Sequence, residues 1–115
     1  MRIAVLSDIH GNSLALEAVL KDVQARGGAD GYWVLGDLCA IGYDPVGVLE
    51  QLNQLPNMVA IKGNADRYSS SLELPPPSVE DAIEDPNKVK VLMEVAANFS
   101  WTRGALDATG WTEWL

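Results

Sequence analysis

Short apolar runs alternate with longer stretches of helical period through the first half of the chain. Arg2 to Ser7 is a compact apolar run closed by polar residues, the pattern of a buried strand. Asn12 then reads as a helix N-cap, and Leu14, Ala15, Ala18, Val19 and Val23 recur at helical spacing between Ser13 and Arg26. Gly27-Gly28 ends that helix. Tyr32 to Leu35 predicts a second strand, Val46 to Leu55 a second helix with Pro45 in its first turn, and Asn57 to Lys62 a third strand. The alternation predicts an α/β fold, a β-α-β-α-β parallel sheet with flanking helices joined by right-handed crossovers.

Past the third strand the pattern loosens. Residues 69–86 carry three consecutive serines, Pro75-Pro76-Pro77 and an acidic cluster, and read as an irregular excursion with room for one helical turn. Asn87 to Arg103 predicts a helix with Val91, Leu92, Val95, Ala96 and Phe99 on one side. Leu106 begins a further short helix broken at Gly110. Trp101, Trp111 and Trp114 in this tail read as core or interface residues. The 115 residues suit one small domain, 1–115.

Charge and cysteine content narrow the function classes. A net charge of -8 argues against a general nucleic-acid surface, which would be basic. It leaves phosphate substrates open, since bound metal ions supply positive charge locally. The single cysteine, Cys39, cannot close an internal disulfide, so a reducing, cytoplasmic setting is expected, and Cys39 itself reads as a small buried residue. No run is long and apolar enough for a membrane span.

Each predicted strand ends in a polar, glycine-linked motif: Asp8-Ile9-His10-Gly11, Gly36-Asp37 and Gly63-Asn64-Ala65-Asp66. In an open parallel sheet, ligands collect beyond the carboxyl ends of the strands. Asp8 and His10, two apart, would leave an extended segment on the same side. Together they offer an oxygen and a nitrogen, a pair that suits Mn, Fe, Ni or Zn better than Ca. Asp37 adds a carboxylate able to bridge two metals, and Asn64 a neutral carbonyl oxygen. Taken singly, each motif is also an ordinary turn or helix start. Their joint occurrence on one sheet edge is what points to a metal site. A nucleotide-binding α/β domain without metal is disfavoured, because no G-x-G-x-x-G follows the first strand.

These motifs, and the fuller run from Ser7 to Asn12, resemble those of the calcineurin-like metallophosphoesterase superfamily, especially its compact bacterial members. The resemblance is clear from Met1 to about Arg67. It implies the N-terminal half of a four-layer αββα sandwich. It also implies a metal-dependent phosphoesterase acting on phosphomonoesters or phosphodiesters, a nucleotide or other small molecule, through a metal-activated hydroxide. On that resemblance Asp8 and His10 would bind one divalent metal, manganese first among the candidates. Asp37 would bridge to a second metal, Asn64 would bind that second metal, and Asp66 would steer Asn64. Asp37, Asn64 and Asp66 would thus carry the catalytic roles.

Two departures qualify it. Ala65 stands where many members have a histidine, and no histidine follows His10, although the family draws further histidine ligands from its second half. The chain therefore reads as a truncated domain, impaired in binding the second metal. Its sheet should leave an apolar face uncovered, so a homo-oligomer is expected through that face or through the C-terminal helices. The alternative reading is an inactive fragment serving as a binding or assembly module.

Overall fold

A computed structural model describes residues 1–115. Three strands, β1 (Ile3–Leu6), β2 (Gly31–Val34) and β3 (Met58–Ala60), form a parallel sheet in the order β1-β2-β3. The crossovers are α1 (Ser13–Ala25) and α2 (Pro45–Asn53). Asn12 caps α1 by accepting from the Ala15 N–H at 3.0 Å, and Asp44 caps α2 by accepting from the Gly47 N–H at 2.9 Å. Then come α3 (Asn64–Ser70), α4 (Val79–Glu84), a single 3-10 turn at Pro86–Lys88, and α5 (Val89–Thr109).

The differences from the sequence reading have local causes. Residues 64–70 form a helix where only turn residues were legible, because Asp66 reaches back to the Gly63 N–H and satisfies the first turn from its third position. Within the excursion, Ser78 and Asp81 exchange reciprocal cap hydrogen bonds and set up α4. α5 continues past Arg103, because Gly104 faces open space and Leu106 anchors the next turn in the core. The helix stops at Gly110, whose φ of 78° is the left-handed cap conformation.

All the helical packing falls on one sheet face. Leu16, Val34, Val48, Leu49, Leu52 and Leu106 meet there with Leu38 and Cys39. A smaller cluster joins Ala40, Ala65 and Phe99, with the Tyr68 ring edge-on to Phe99 at 5.5 Å. In the tail, Trp111 and Trp114 pack against the main core, while Trp101 is exposed. The opposite sheet face is bare. Val5, Trp33 and Val59 pair in one row across the three strands and are 56%, 53% and 61% exposed. No helix is long and apolar enough to cross a membrane.

Cys39 lies fully buried beside the main core. Burial, and after it the negative charge of Asp66, push its thiol from an ordinary value near 9 up to about 12. The unfolded thiol ionises first, so this contribution to stability is complete below pH 9 and is lost as pH rises from 9 toward about 12. Unfolding free energy of the wild type should therefore fall more steeply over that range than that of Cys39→Ala. Urea titrations at stepped pH measure both slopes, and parallel slopes would contradict this.

Candidate metal centre

The three strand-end loops are bound to one another mainly through their backbones. Between the first and second, the Asp8 N–H donates to the Gly36 carbonyl at 3.2 Å, His10 to Asp37 at 2.8 Å and Gly11 to Leu38 at 2.8 Å. Between the second and third, the carboxylate of Asp66 is the link. Its Oδ2 accepts from the N–H groups of Asp37 and Gly63, and its Oδ1 from Leu38, all at 2.8 Å. Asp66 is completely buried, and its carboxylate serves backbone N–H groups rather than the Asn64 side chain. Contacts this close require glycine, as two of the positions show. A Cβ on Gly63 would run into the Asp37 carboxylate, and one on Gly42 into the His10 carbonyl oxygen.

This stitching puts the candidate ligands together. Ligand atoms of Asp8, His10 and Asp37 all lie within 4.8 Å of one another. His10 Nε2 stands 3.5 Å from Asp8 Oδ1. The route differs from the extended segment expected for Asp8 and His10. Asp8 (φ 55°), His10 (φ 49°) and Asp37 (φ 56°) all take left-handed backbone conformations, so the side chains converge through a tight turn. Such conformations cost about 1–3 kcal/mol each in residues other than glycine and concentrate at functional sites. Asn64 joins the group: the end of its carboxamide stands 3.2 and 3.3 Å from the two Asp37 carboxylate oxygens, to which its NH2, oriented that way, would donate.

The donors fit a transition metal. The His10 Nδ1–H donates to the Ala40 carbonyl, which leaves the Nε2 lone pair facing Asp8. Turned over, the Asn64 carboxamide would present its oxygen beside Asp37, the arrangement for sharing a cation. Asp8 is exposed, so the centre is open to solvent.

Sequence reasoning missed three supporting groups. Ser7 Oγ donates to Asp8 Oδ2 at 2.6 Å, the Ala40 carbonyl orients His10, and the Ala65 N–H donates to Asp37 Oδ1 at 3.0 Å. Two of the three are backbone groups, which side-chain identity cannot reveal. The Ala65 methyl packs among Ala40 and Phe99, so this position serves Asp37 through its backbone.

Comparisons with known proteins bear on the fold and the family of the chain. The family model of calcineurin-like phosphoesterases matches residues 1–111. An uncharacterised protein of Methanocaldococcus jannaschii is 42% identical over 64 residues, 56% of this chain and 26% of that protein. The crystal structure of a metallophosphoesterase from Sphaerobacter thermophilus has a TM-score of 0.69 and 30% identity, covering 100% of this chain and 39% of the other. A hypothetical protein from Pyrococcus horikoshii OT3 has a TM-score of 0.71 at 23% identity, over 98% of this chain and 46% of its own, and supports the fold alone. The chain thus spans less than half the length of each of these relatives. Matched from its first residue to Trp111, the chain belongs to the calcineurin-like phosphoesterase family.

Proposed function

We propose that this chain carries the Asp8–His10–Asp37–Asn64 half of a metal-dependent phosphoesterase centre that hydrolyses phosphomonoesters or phosphodiesters. The observation that carries it is the convergence of three donor atoms of mixed type within 4.8 Å. Divalent metal bound there, manganese by preference among Mn, Fe, Ni and Zn, supplies a hydroxide nucleophile and neutralises charge on the phosphoryl group. The chain's own residues position that chemistry. Asp8 and His10 hold one side, with Ser7 and the Ala40 carbonyl fixing their orientation. Asp37 lies near both the Asp8–His10 pair and Asn64, so it would be the carboxylate able to serve both sides of the centre. Asp66 acts as a positioning residue, holding the backbone of Asp37. A phosphate-ester nucleotide or other small molecule, reached from solvent in a reducing cytoplasm, completes the reading.

Asp37→Asn keeps the oxygen that accepts the Ala65 N–H, so the fold should persist. Manganese affinity and hydrolysis of an activated aryl phosphodiester should each fall by about a hundredfold or more, since even an outer hydrogen-bond partner of a ligand is worth 10–100-fold. Calorimetry and a chromogenic rate assay read the two quantities. Equal rates in wild type and variant would end the proposal.

Asp66→Asn turns an NH2 group toward at least one of the three N–H donors that now find oxygen. We expect a loss of about 3 kcal/mol of stability, from one broken charge-assisted hydrogen bond and one stranded donor. An unchanged urea midpoint would show that this carboxylate does not pin the loops.

A second reading, an assembly module, is favoured by the bare row Val5, Trp33 and Val59. On this reading two copies associate through their sheet faces. Sedimentation velocity should find a dimer at micromolar concentration that Trp33→Lys turns into a monomer. A wild type that stays monomeric would refute this reading without touching the metal centre.

A further inference from the structure

We infer that Arg103 is a positioning residue of the metal centre: from α5 it holds the far end of α3, the helix that carries Asn64, and so sets how Asn64 meets a cation beside Asp37. The inference rests on the phosphoesterase reading and adds a residue to the same site.

Asn64 is the first residue of α3, and the last turn of that helix needs donors from elsewhere. The chain leaves the helix at Ser71 in an extended conformation, which deprives the final carbonyls of backbone partners. The three consecutive serines meet part of the need. Ser69 Oγ donates to the Ala65 carbonyl at 2.9 Å, Ser70 Oγ to Asp66 at 3.0 Å and Ser71 Oγ to Arg67 at 2.8 Å. These bonds are local, so they stiffen the helix without fixing it to anything else. The Tyr68 carbonyl is different. No backbone N–H serves it, and it accepts from Arg103 Nη2 at 3.2 Å, across 35 positions of sequence. Phe99, one turn earlier on α5, packs edge-on against the Tyr68 ring and against Ala65. One ring and one guanidinium thus tie α3 to α5.

Stability alone is a poor account of Arg103. It is part-buried and forms no ion pair, and its Nε is buried without any partner. A stranded buried donor costs at least what the bond to Tyr68 returns. A methionine would pack a similar apolar stem without that cost. The geometric account is direct. α3 has seven residues, about 10 Å at 1.5 Å per residue, and its other end meets the second loop. There the Ala65 N–H donates to Asp37, and the Asn64 carboxamide stands against the same carboxylate. A swing of the last turn therefore turns Asn64 relative to Asp37, and ligand constellations tolerate only about 0.5 Å of error.

The test is calorimetric manganese titration of wild type, Arg103→Met, Arg103→Lys, Asn64→Ala and the double variant Arg103→Met/Asn64→Ala, with urea midpoints measured alongside. Arg103→Met keeps the stem and drops the donor. It should weaken manganese binding by roughly tenfold or more, as loss of an outer partner of a ligand does. Arg103→Lys, which restores a charged donor, should recover most of that loss. In the Asn64→Ala background, Arg103→Met should change affinity by less than about twofold, because the route it acts through is gone. Arg103→Gln carries the same comparison should Arg103→Met not fold. A lowered urea midpoint with unchanged manganese affinity would overturn the inference and leave the metal reading standing. Equal losses of affinity in both backgrounds would overturn it too. A loss that depends on Asn64, in protein that hydrolyses no aryl phosphate ester, would uphold the positioning role and overturn the phosphoesterase reading. A wild type that binds no manganese would overturn both.

Discussion

The buried carboxylate of Asp66 is the constraint on which the rest of the site depends. A carboxylate taken fully out of water is costly unless hydrogen bonds replace its hydration. Three backbone N–H groups do so, and they come from the two loops whose spacing matters most, at Asp37, Leu38 and Gly63. With those groups fixed, Asp37 has one place to be. The first loop is then set by its own hydrogen bonds to Asp37 and Leu38, which locate His10 and Gly11. Ligand geometry is thus transmitted through backbone, from one side chain that does not itself join the ligand cluster. The glycines complete the device by allowing the loops to approach more closely than any Cβ would permit.

Much of the scaffold is legible in the sequence because its signals are local. Three apolar runs, two helical periods, the Asn12 cap and Pro45 in a first turn announce the β-α-β-α-β order, and the structure keeps it. The candidate ligands are legible for the same reason, as short polar motifs at the ends of strands. What stays hidden is nonlocal. The helix at 64–70 forms because the Asp66 carboxylate closes its first turn, and that carboxylate is held in place by loop 37–38. The continuity of α5 through Gly104 depends on Leu106 reaching a core built by α1 and α2. The left-handed backbone at Asp8, His10 and Asp37 leaves no trace beyond residue types that tolerate it.

The bare sheet face shows the same division between pattern and packing. Strands of a parallel sheet buried on both sides read as continuous apolar runs, and all three runs here do. The sequence therefore shows that both faces are apolar. The structure adds that the helices take only one of them, through Tyr32 and Val34, and leave Trp33 and its row-mates Val5 and Val59 in solvent. Nothing in the packing of this chain accounts for apolar residues in that row. Their composition is that of a surface made to be covered, and the greater length of the relatives is consistent with a further layer in those proteins.

Strain at the centre is offset by hydrogen bonding. Three ligands in left-handed conformations cost about 3–9 kcal/mol together. Against that stand the three N–H bonds to Asp66, the Ala65 bond to Asp37, and the bonds of Asp8, His10 and Gly11 to the second loop. At about 1 kcal/mol net for each ordinary bond, and more for those to a carboxylate, they outweigh the strain. Coulomb repulsion between Asp8 and Asp37, within 4.8 Å of each other, is a further cost that none of these bonds removes. A cation between the two carboxylates would turn this cost into attraction. The charges of the cluster are thus of the kind a divalent cation would suit, in keeping with the family to which the chain belongs.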